Sequence, residues 1–555
     1  MNRPKLRLST AIFKKYNYLG LFGAAIGFCL SFLPSLLPRP WLFQGVATGF
    51  SLAIGYGVGC TVSWVTRWLI EWEPPRKAKH IAWWALGIVG PLISVIYLYF
   101  AATWQTQVSE LIGETPQSHR YIFRILVIAL ITGSALLYGS RLVRYLTRIL
   151  INFIDKLLPR KVSIAAGLVI ITYVLITIFN GLFFSSFVRF ANKSYSKRNN
   201  STAAGIIQPI AAERSGSPAS LAPWQTLGYQ GRSFVARGPS QQQLATFSNS
   251  GVATKEPIRV YAGLQSARST AERAALAVKE LERTKAFERK VLIIGNATGT
   301  GWLEPQSMDS IEYMYGGDTA IASIQYSYLP SWLSFLVDKQ NAKDAGQQLF
   351  NAVYGKWATL PVDNRPKLIT YGLSLGSYAG QAAFSGANDL KYTTDGALFL
   401  GTPSDTELWN TITKGRDPGS PQIDPEYKDG TSIRFVANPS DFNENQSDWK
   451  KPRTLYLQHP SDPVVWFDFD LILNKPDWLS EKRGYDVSPS MQWYPFITFT
   501  QVALDQFLGT SAPNGHGHNY ADSIVAAWSA VVPPEGWNQD KASRLQTIIN
   551  SYPNE

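Results

Sequence analysis

Long apolar runs separated by short polar segments dominate the first third of the chain. Five of these runs approach the roughly 20 residues that an α-helix needs to cross a bilayer. They cover residues 17–37, 42–64, 81–103, 121–140 and 163–187. Pro34, near the end of the first run, and Pro38 and Pro40, directly after it, predict a tight hairpin there. The pattern therefore predicts a helical transmembrane domain over residues 1–189, with about five spans.

The pattern changes after residues 190–221, which are rich in Ser, Asn, Ala, Gly and Pro and predict a linker. From Ile258 onward, short and wholly apolar runs alternate with helical periodicity. The predicted strands are Ile258–Ala262, Val291–Gly295, Ala320–Tyr326, Lys367–Gly372, Asp395–Leu400, Ile433–Ala437 and Thr454–Gln458. The predicted helices are Thr270–Thr284, Ala342–Trp357, one from Tyr378 and a final one at Asp522–Val531. This alternation predicts an α/β domain over residues 222–555, with a mostly parallel sheet and helices on both faces.

The net charge of +12 belongs entirely to the first part of the chain. Up to Arg198 there are 22 Lys and Arg against 5 Asp and Glu, a net charge of +17. The remainder has 30 basic and 35 acidic residues, a net charge of −5. Positive charge placed between long apolar runs is typical of a membrane protein, so we expect no nucleic-acid partner.

Basic residues also predict the orientation of the spans. They cluster in the N-terminal segment (Arg3, Lys5, Arg7, Lys14, Lys15), after the second run (Arg67, Arg76, Lys77, Lys79) and after the fourth (Arg141, Arg144, Arg148, Lys156, Arg160, Lys161). Alternating spans place these three segments on one side, which the positive-inside rule makes cytoplasmic. Five spans then place the second domain outside the cytoplasm. Four basic residues directly after the fifth run, Arg189, Lys193, Lys197 and Arg198, favour the opposite orientation.

The sharpest chemical motif is Gly372-Leu-Ser374-Leu-Gly376, which lies between a predicted strand and a helix rich in small residues. A nucleophilic serine must project from a tight strand-to-helix turn, and small residues two positions away on either side let the strand and helix approach. Ser374 is therefore the candidate nucleophile.

An orienting carboxylate and a histidine are expected after the serine, in that chain order. Asp462 follows the last predicted strand before the histidines and is the favoured acid, with Asp441 as a rival and Asp505 as a weaker alternative. The glycine-rich loop Asn514–Tyr520 contains both His516 and His518. Either can be the base, and the position of His518 beside the predicted helix slightly favours it.

Other chemistries find less support. The two cysteines, Cys29 and Cys60, both lie in apolar runs, which excludes a disulfide framework and a cysteine nucleophile in the second domain. No carboxylate or cysteine at ligand spacing accompanies His516 and His518, so we expect no metal and no cofactor.

Acyl transfer also needs backbone N–H groups that stabilise an oxyanion. Leu375, directly after the candidate nucleophile, is expected to supply one. The loop after the strand at Val291, which contains Thr298 and Gly299, is expected to supply the other.

These motifs resemble those of bacterial membrane-anchored α/β-hydrolases, which join an N-terminal multi-span domain to a C-terminal Ser-Asp-His hydrolase domain. The resemblance is carried by Pro34–Trp41, Gly55–Gly59, Arg259–Leu264, Glu280–Thr284, Thr298–Trp302, Gly372–Gly376, His459–Pro463 and Gly515–His518. It implies Ser374 as nucleophile, Asp462 as acid and His516 or His518 as base. One departure is Gly295-Asn296-Ala297, where a proline-containing segment is expected.

The leading hypothesis is a serine esterase or lipase, anchored in the cell membrane by several spans, that cleaves a small-molecule or lipid ester. There are two alternatives. One is an acyltransferase of the same fold, and the other is a non-catalytic protein whose hydrolase-like domain binds a partner. A transporter is disfavoured because Asp, Glu and His are absent from the centres of the apolar runs.

Overall fold

The computed structural model describes residues 15–70, 75–116, 121–248, 253–444 and 448–552. Arg3, Lys5, Arg7 and Lys14, named above for orientation, lie outside these ranges. The chain divides into two compact units. The first comprises residues up to Phe190 together with Phe469–Leu479 and Val487–Asp505, and the second comprises Ala191–Asp468, Ser480–Asp486 and residues from Gln506.

The described residues form helices that we number in chain order. They are α1 Tyr18–Ser31, α2 Trp41–Ile70, α3 Arg76–Leu111, α4 Ile122–Ile154, α5 Arg160–Thr177, α6 Ser185–Asn199, α7 Gly228–Ala236, α8 Gln241–Ser248, α9 Thr270–Arg283, α10 Pro305–Met314, α11 Ser331–Val337, α12 Lys339–Ala358, α13 Leu375–Gln381, α14 Ala387–Thr393, α15 Glu407–Lys414, α16 Asp441–Glu444, α17 Pro463–Trp466, α18 Ile497–Asp505, α19 Ile524–Val531 and α20 Gln539–Asn550. A π-helical segment, Ile178–Phe184, joins α5 to α6.

Among the described residues, four helical stretches are long and apolar enough to cross a membrane, namely Trp41–Ile70, Lys77–Leu111, Ile122–Ile154 and Arg160–Asn199. The first apolar run differs from the prediction of a full-length span. It forms α1, which has 14 residues, because Pro34, Pro38 and Pro40 prevent the helix from continuing through the rest of the run.

Helices α1 and α2 pack closely through small residues. A Cβ at Gly23 would lie 2.2 Å from the Gly55 carbonyl oxygen, and a Cβ at Gly27 would lie 2.2 Å from that of Ser51. Such close backbone approach is how helices associate where apolar surface gives no advantage over lipid. In the segment Gly55–Gly59, Gly55 and Gly59 therefore have a packing role, whereas Gly57 has nothing within 4 Å of its Cβ position.

The proline hairpin between α1 and α2 is held by a segment that lies far away in the sequence. The Asp505 carboxylate, at the end of α18, accepts a hydrogen bond from the Leu36 N–H at 3.2 Å. Gln501 donates its amide hydrogens to the carbonyls of Ser31 at 3.2 Å and Leu33 at 3.1 Å. Residues 497–505 thus complete the first unit, which the predicted boundary near residue 189 does not anticipate.

The second unit is built on a seven-stranded, fully parallel sheet. Its strands are β1 Ile258–Ala262, β2 Val291–Asn296, β3 Thr319–Ile324, β4 Lys367–Leu373, β5 Gly396–Leu400, β6 Ile433–Val436 and β7 Arg453–Leu457. Their order across the sheet is β1-β3-β2-β4-β5-β7-β6. All seven predicted strands are present, and the predicted class of a parallel sheet with helices is confirmed.

The strands are buried along nearly their whole length, which explains why their sequences are continuously apolar. In one group of helices, α9 contacts α12 and α12 contacts α13, and the group packs against β1, β2, β3 and β4. A second group, α10, α19 and α20, also packs together, and its members contact β3, β5 and β7. The helix predicted as the last, at Asp522–Val531, corresponds to α19 and is followed by α20.

The segment predicted as a linker differs from the observed structure. Residues from Ala191 onward belong to the second unit, and Arg214 within the segment is buried. Its guanidinium pairs with Glu256 at 2.7 Å and donates to the Val235 carbonyl at 3.0 Å. A composition rich in Gly, Pro and Ser here reflects irregular backbone that packs against the sheet edge at β1, where the Ser215 N–H bonds the Arg259 carbonyl.

Candidate active site

The candidate nucleophile lies at the carboxyl end of a central strand. Ser374 connects β4 to α13 with φ 55° and ψ −126°, a backbone conformation that residues other than glycine rarely adopt. Its N–H donates to the Leu400 carbonyl at 2.9 Å, which fixes the turn to the neighbouring strand. A turn of this kind exposes the serine hydroxyl above the sheet.

The two glycines flanking Ser374 are required by close packing. A Cβ at Gly372 would lie 2.4 Å from the Gly376 carbonyl oxygen. A Cβ at Gly376 would lie 2.2 Å from the carbonyl oxygen of Asn296, at the end of β2. The spacing recognised in the sequence therefore has the physical cause expected for it.

The segment Gly295-Asn296-Ala297, which departs from the expected proline-containing sequence, has a structural explanation in the contacts of Asn296. Its side-chain amide donates to the Tyr371 carbonyl at 2.9 Å and contacts the Thr370 hydroxyl at 3.2 Å. Asn296 thus ties the end of β2 to β4, directly below the serine turn.

The structure brings Asp462 and His518 together. His518 Nδ1 lies 2.7 Å from Asp462 Oδ2, and both side chains are buried. Because a carboxylate only accepts hydrogen bonds, this contact places a proton on Nδ1 and leaves the Nε2 lone pair of the neutral ring free. Nε2 is buried and has no hydrogen-bond partner among the described residues. His518 and Ser374 line the same cavity.

Asp462 is held by two further donors. The Tyr520 hydroxyl donates to Asp462 Oδ2 at 2.6 Å, and the Val464 N–H donates to Oδ1 at 2.8 Å. Burial, with the adjoining Asp462 carboxylate, raises the pKa of Tyr520 well above its ordinary value, so the phenol stays a proton donor. Sequence reasoning missed this residue, and its one signal was its place at the end of the histidine loop.

His459 contacts the glycine-rich loop that contains His518. Its ring stacks on Tyr520 with centroids 4.2 Å apart, and its Nδ1 lies 3.0 Å from the Gly517 carbonyl. Burial lowers the pKa of His459, which favours the neutral ring. His459 therefore has a packing role beside the site.

Gly401, directly after β5, provides the space that the histidine occupies. It has φ 50°, and a Cβ there would lie 2.4 Å from His518 Cε1 and 3.0 Å from Asp462 Oδ2. Any other residue at this position would displace the imidazole. A glycine directly following a predicted strand was the signal available in the sequence.

The alternative acids and base lie elsewhere. His516 Nδ1 contacts Asp486 at 3.1 Å, and His516 is not among the residues lining the cavity. The Asp441 carboxylate accepts the N–H of Asn438 at 2.7 Å and so caps its own turn. Asp505 belongs to the first unit. Among the predicted candidates, Asp462 and His518 are the pair that the structure places together.

The predicted oxyanion donors have different environments. Leu375 lines the cavity and begins α13, where backbone N–H groups lack intrahelical partners. Thr298 also lines the cavity, but its N–H donates to the Trp302 carbonyl at 2.9 Å. Gly299 is not among the lining residues, and a Cβ there would lie 2.4 Å from the Leu329 carbonyl oxygen. Of the three predicted donors, Leu375 combines a place in the cavity wall with a place in the first turn of a helix.

The cavity above Ser374 has a volume of about 450 Å³. Much of its wall is aromatic or aliphatic, with the side chains of Trp302, Trp332, Phe335, Leu373, Val464, Phe467 and Phe507. The Trp332 and Phe507 rings lie 5.7 Å apart. This wall suits an apolar group beside the serine.

Glu304 is an unexpected acid in the same wall. It is 7% exposed, its side chain does not cap α10, and its Oε2 has no hydrogen-bond partner among the described residues. Burial raises the pKa of the Glu304 carboxyl to about 7, and the nearby His518 opposes this rise. Within the described ranges, His, Cys, Asp and Glu form no group of three that could hold a metal ion.

Comparisons with known proteins agree with this architecture. A family model described as "Alpha/beta-hydrolase family" matches residues 258–545, more than half of the chain. A second, described as "Alpha/beta-hydrolase family N-terminus", matches residues 32–239. Searches of curated proteins and of solved structures gave no match.

Proposed function

Since the chain belongs to this alpha/beta-hydrolase family, as its motifs predicted, we propose that it is a membrane-anchored serine hydrolase that cleaves an acyl ester. Ser374 is the nucleophile, His518 the general base and Asp462 the residue that orients the base. One observation carries the proposal. His518, which contacts buried Asp462 at 2.7 Å, lines the same cavity as Ser374 on its strained turn.

In the proposed reaction, Ser374 Oγ attacks the acyl carbonyl and passes its proton to His518 Nε2. Asp462 stabilises the resulting imidazolium through Nδ1. The Leu375 N–H donates to the oxyanion that forms on the carbonyl oxygen. The alcohol leaves with the proton from Nε2. Water then gives a proton to His518, attacks the acyl-enzyme and releases the acid, and Ser374 regains its hydrogen.

The cavity wall favours an ester with an apolar acyl group. Burying such a group against the rings of Trp332, Phe335 and Phe507 removes apolar surface from water, at about 25 cal/mol per Å². Lipid and lipid-like esters fit this chemistry, and a membrane anchor keeps the enzyme close to them.

We also propose that the protein is a multi-pass component of the cell membrane with its second unit outside the cytoplasm. Support comes from the four apolar helical stretches, because the first of them ends in a basic segment and the fourth begins in one, so the fourth ends on the opposite side. Further support comes from five basic residues that lie together at one end of the first unit, where they line a single cavity: Lys15, Arg67, Arg141, Arg144 and Arg148. The positive-inside rule makes that end cytoplasmic.

Hydrolysis of a series of acyl esters by the full chain in detergent tests the proposed chemistry. We expect Asp462→Asn to lower kcat by about 10⁴-fold, because the amide stabilises the wrong tautomer of the imidazole. His518→Ala should reduce turnover to near background. Asp441→Asn and His516→Ala are matched controls, and they should retain most activity. Equal losses in the control and triad variants would contradict the assignment.

A further inference from the structure

A second cavity, in the first unit, has a different chemistry from the one above Ser374. It has a volume of about 630 Å³ and lies between the start of α1, the last turns of α2 and the second half of α4. Five basic side chains from the described ranges line it: Lys15, Arg67, Arg141, Arg144 and Arg148. Nothing in the proposed hydrolase chemistry uses these groups.

The spacing of the arginines directs them into this cavity. Arg141, Arg144 and Arg148 are three and four residues apart, so they follow one face of α4. Arg67 meets them from α2, and Lys15 precedes α1. Three basic segments that are far apart in the sequence are therefore collected around one space. The positive-inside rule requires basic residues on the cytoplasmic side, but it does not require them to line a single cavity.

Within the described part of the chain, no carboxylate lines the cavity to compensate the charge of these basic groups, since its lining includes no aspartate or glutamate. Arg67 donates to the Ser63 carbonyl at 3.1 Å, and Arg144 donates to the Ser140 hydroxyl at 3.2 Å. These neutral oxygens orient the guanidinium groups but leave their charge in place. Like charges gathered around one space repel each other, and a bound anion relieves that repulsion.

Arg141 is the most enclosed of the five basic residues. It is 9% exposed, and its guanidinium carbon lies 4.9 Å from the centre of the Tyr16 ring and 5.6 Å from that of Tyr138. Cation–π contacts of this kind hold a guanidinium group in position and keep its charge. One wall of the cavity is therefore fixed before any ligand binds.

Two tryptophans indicate where the cavity lies relative to a bilayer. Trp64 and Trp68 belong to its lining, are 64% and 69% exposed, and stack with their rings 6.3 Å apart. Tryptophan is enriched at the membrane interface, at the level of the lipid headgroups. Basic pockets between helices at this level bind phosphate-containing headgroups.

We propose that this cavity binds the phosphate group of an anionic phospholipid, with the acyl chains lying along α2 and α4. Arginine suits this ligand because its planar guanidinium donates paired hydrogen bonds to phosphate oxygens. The proposal is independent of the hydrolase chemistry. It assigns the first unit a ligand of its own in addition to its role as an anchor.

Binding of defined lipids to the full chain in an uncharged detergent tests the proposal. Native mass spectrometry would count bound phosphatidylglycerol and phosphatidylcholine, with glycerol 1-phosphate as the soluble source of the same group. We expect phosphatidylglycerol to bind about tenfold or more tightly than phosphatidylcholine. Equal binding of the two lipids would overturn the proposal. Binding of glycerol 1-phosphate as tightly as phosphatidylglycerol would overturn the assignment to a lipid.

Two charge-matched variants separate a site from general attraction to the surface. Arg67→Gln/Arg144→Gln/Arg148→Gln should lose the preference for phosphatidylglycerol, at about tenfold or more in affinity. Lys77→Gln/Lys156→Gln/Lys161→Gln removes three exposed charges from the basic segments and should retain it. Equal losses in both would overturn the proposal. If the first triple variant does not elute as a folded protein, Arg148→Gln alone provides the same comparison with Lys156→Gln.

Discussion

The hydrogen bonds around Asp462 decide how the proposed catalytic histidine is held. The carboxylate has three donors within the second unit, from His518, Tyr520 and the Val464 N–H. His518 and Tyr520 share Oδ2 and the Val464 N–H bonds Oδ1, so both carboxylate oxygens have donors. The sequence motifs indicate the candidate acid and base, whereas Tyr520 is marked only by its place at the end of the histidine loop.

Tyr520→Phe should therefore weaken the orientation of His518 while leaving the fold intact. A hydrogen bond to a charged group contributes about 1.5–3 kcal/mol, so we expect kcat to fall by roughly tenfold to a hundredfold. KM should change little, because Tyr520 does not line the cavity. Steady-state kinetics on an ester substrate would measure both.

Tyr485→Phe is the matched control for this variant. The Tyr485 hydroxyl donates to the Gly515 carbonyl at 2.7 Å, in the same loop, but does not contact Asp462. We expect this variant to retain a kcat within a few fold of wild type. A kcat that falls equally in both variants would mean that the loop as a whole is sensitive and that Tyr520 has no specific role.

At the scale of elements, the serine turn depends on how closely α12 approaches α13. Gly346 lies midway along α12, and a Cβ there would be 1.9 Å from the Ala379 carbonyl oxygen of α13. Gly355, nine residues later in the same helix, has nothing within 4 Å of its Cβ position. Close packing against α13 therefore requires glycine at position 346, whereas nothing around position 355 excludes a larger residue.

This contrast gives a paired prediction. Gly355→Ala should stabilise the second unit by about 0.5–1 kcal/mol, since alanine favours the helix and meets no obstacle. Gly346→Ala should destabilise it by about 1–3 kcal/mol, because α12 must move away from α13. Thermal unfolding of the full chain in detergent would measure both shifts. A stabilising Gly346→Ala would contradict the packing described here.

The secondary-structure elements also differ in how well the sequence predicts them. The seven strands are recognisable because strands buried on both faces must be apolar throughout, as in Val291–Asn296. Helix α18 was not predicted, because its packing against the proline hairpin depends on residues more than 450 positions away. The loop that contains Thr298 was predicted to supply an oxyanion donor. No pattern of side chains reveals that the Thr298 N–H bonds the Trp302 carbonyl.

At the scale of the whole molecule, buried Glu304 links stability to pH. The pKa of its carboxyl rises from 4.5 to about 7 on folding, because burial penalises the charged form. Between these values the folded chain holds a proton that the unfolded chain has released. Stability attributable to this group therefore falls as pH rises from about 4.5 to 7 and is constant above that range.

Glu304→Gln should remove this dependence. Above pH 7 the variant should be more stable than wild type by an amount on the order of 3 kcal/mol, and the two should converge near pH 4.5. Unfolding by denaturant across this pH range, followed by tryptophan fluorescence, would measure the difference. Glu407→Gln, which removes an exposed carboxylate, is the control. A constant difference between wild type and Glu304→Gln at all pH values would contradict the role given to burial.

Labelling of the full chain in membranes with a fluorophosphonate, which reacts with activated serines, tests the central claim most directly. Wild type should label, and Ser374→Ala should not. Ser331→Ala, which removes the other serine lining the cavity, should label like wild type. Undiminished labelling of Ser374→Ala, or no labelling of folded wild type, would contradict the assignment of Ser374 as an activated nucleophile.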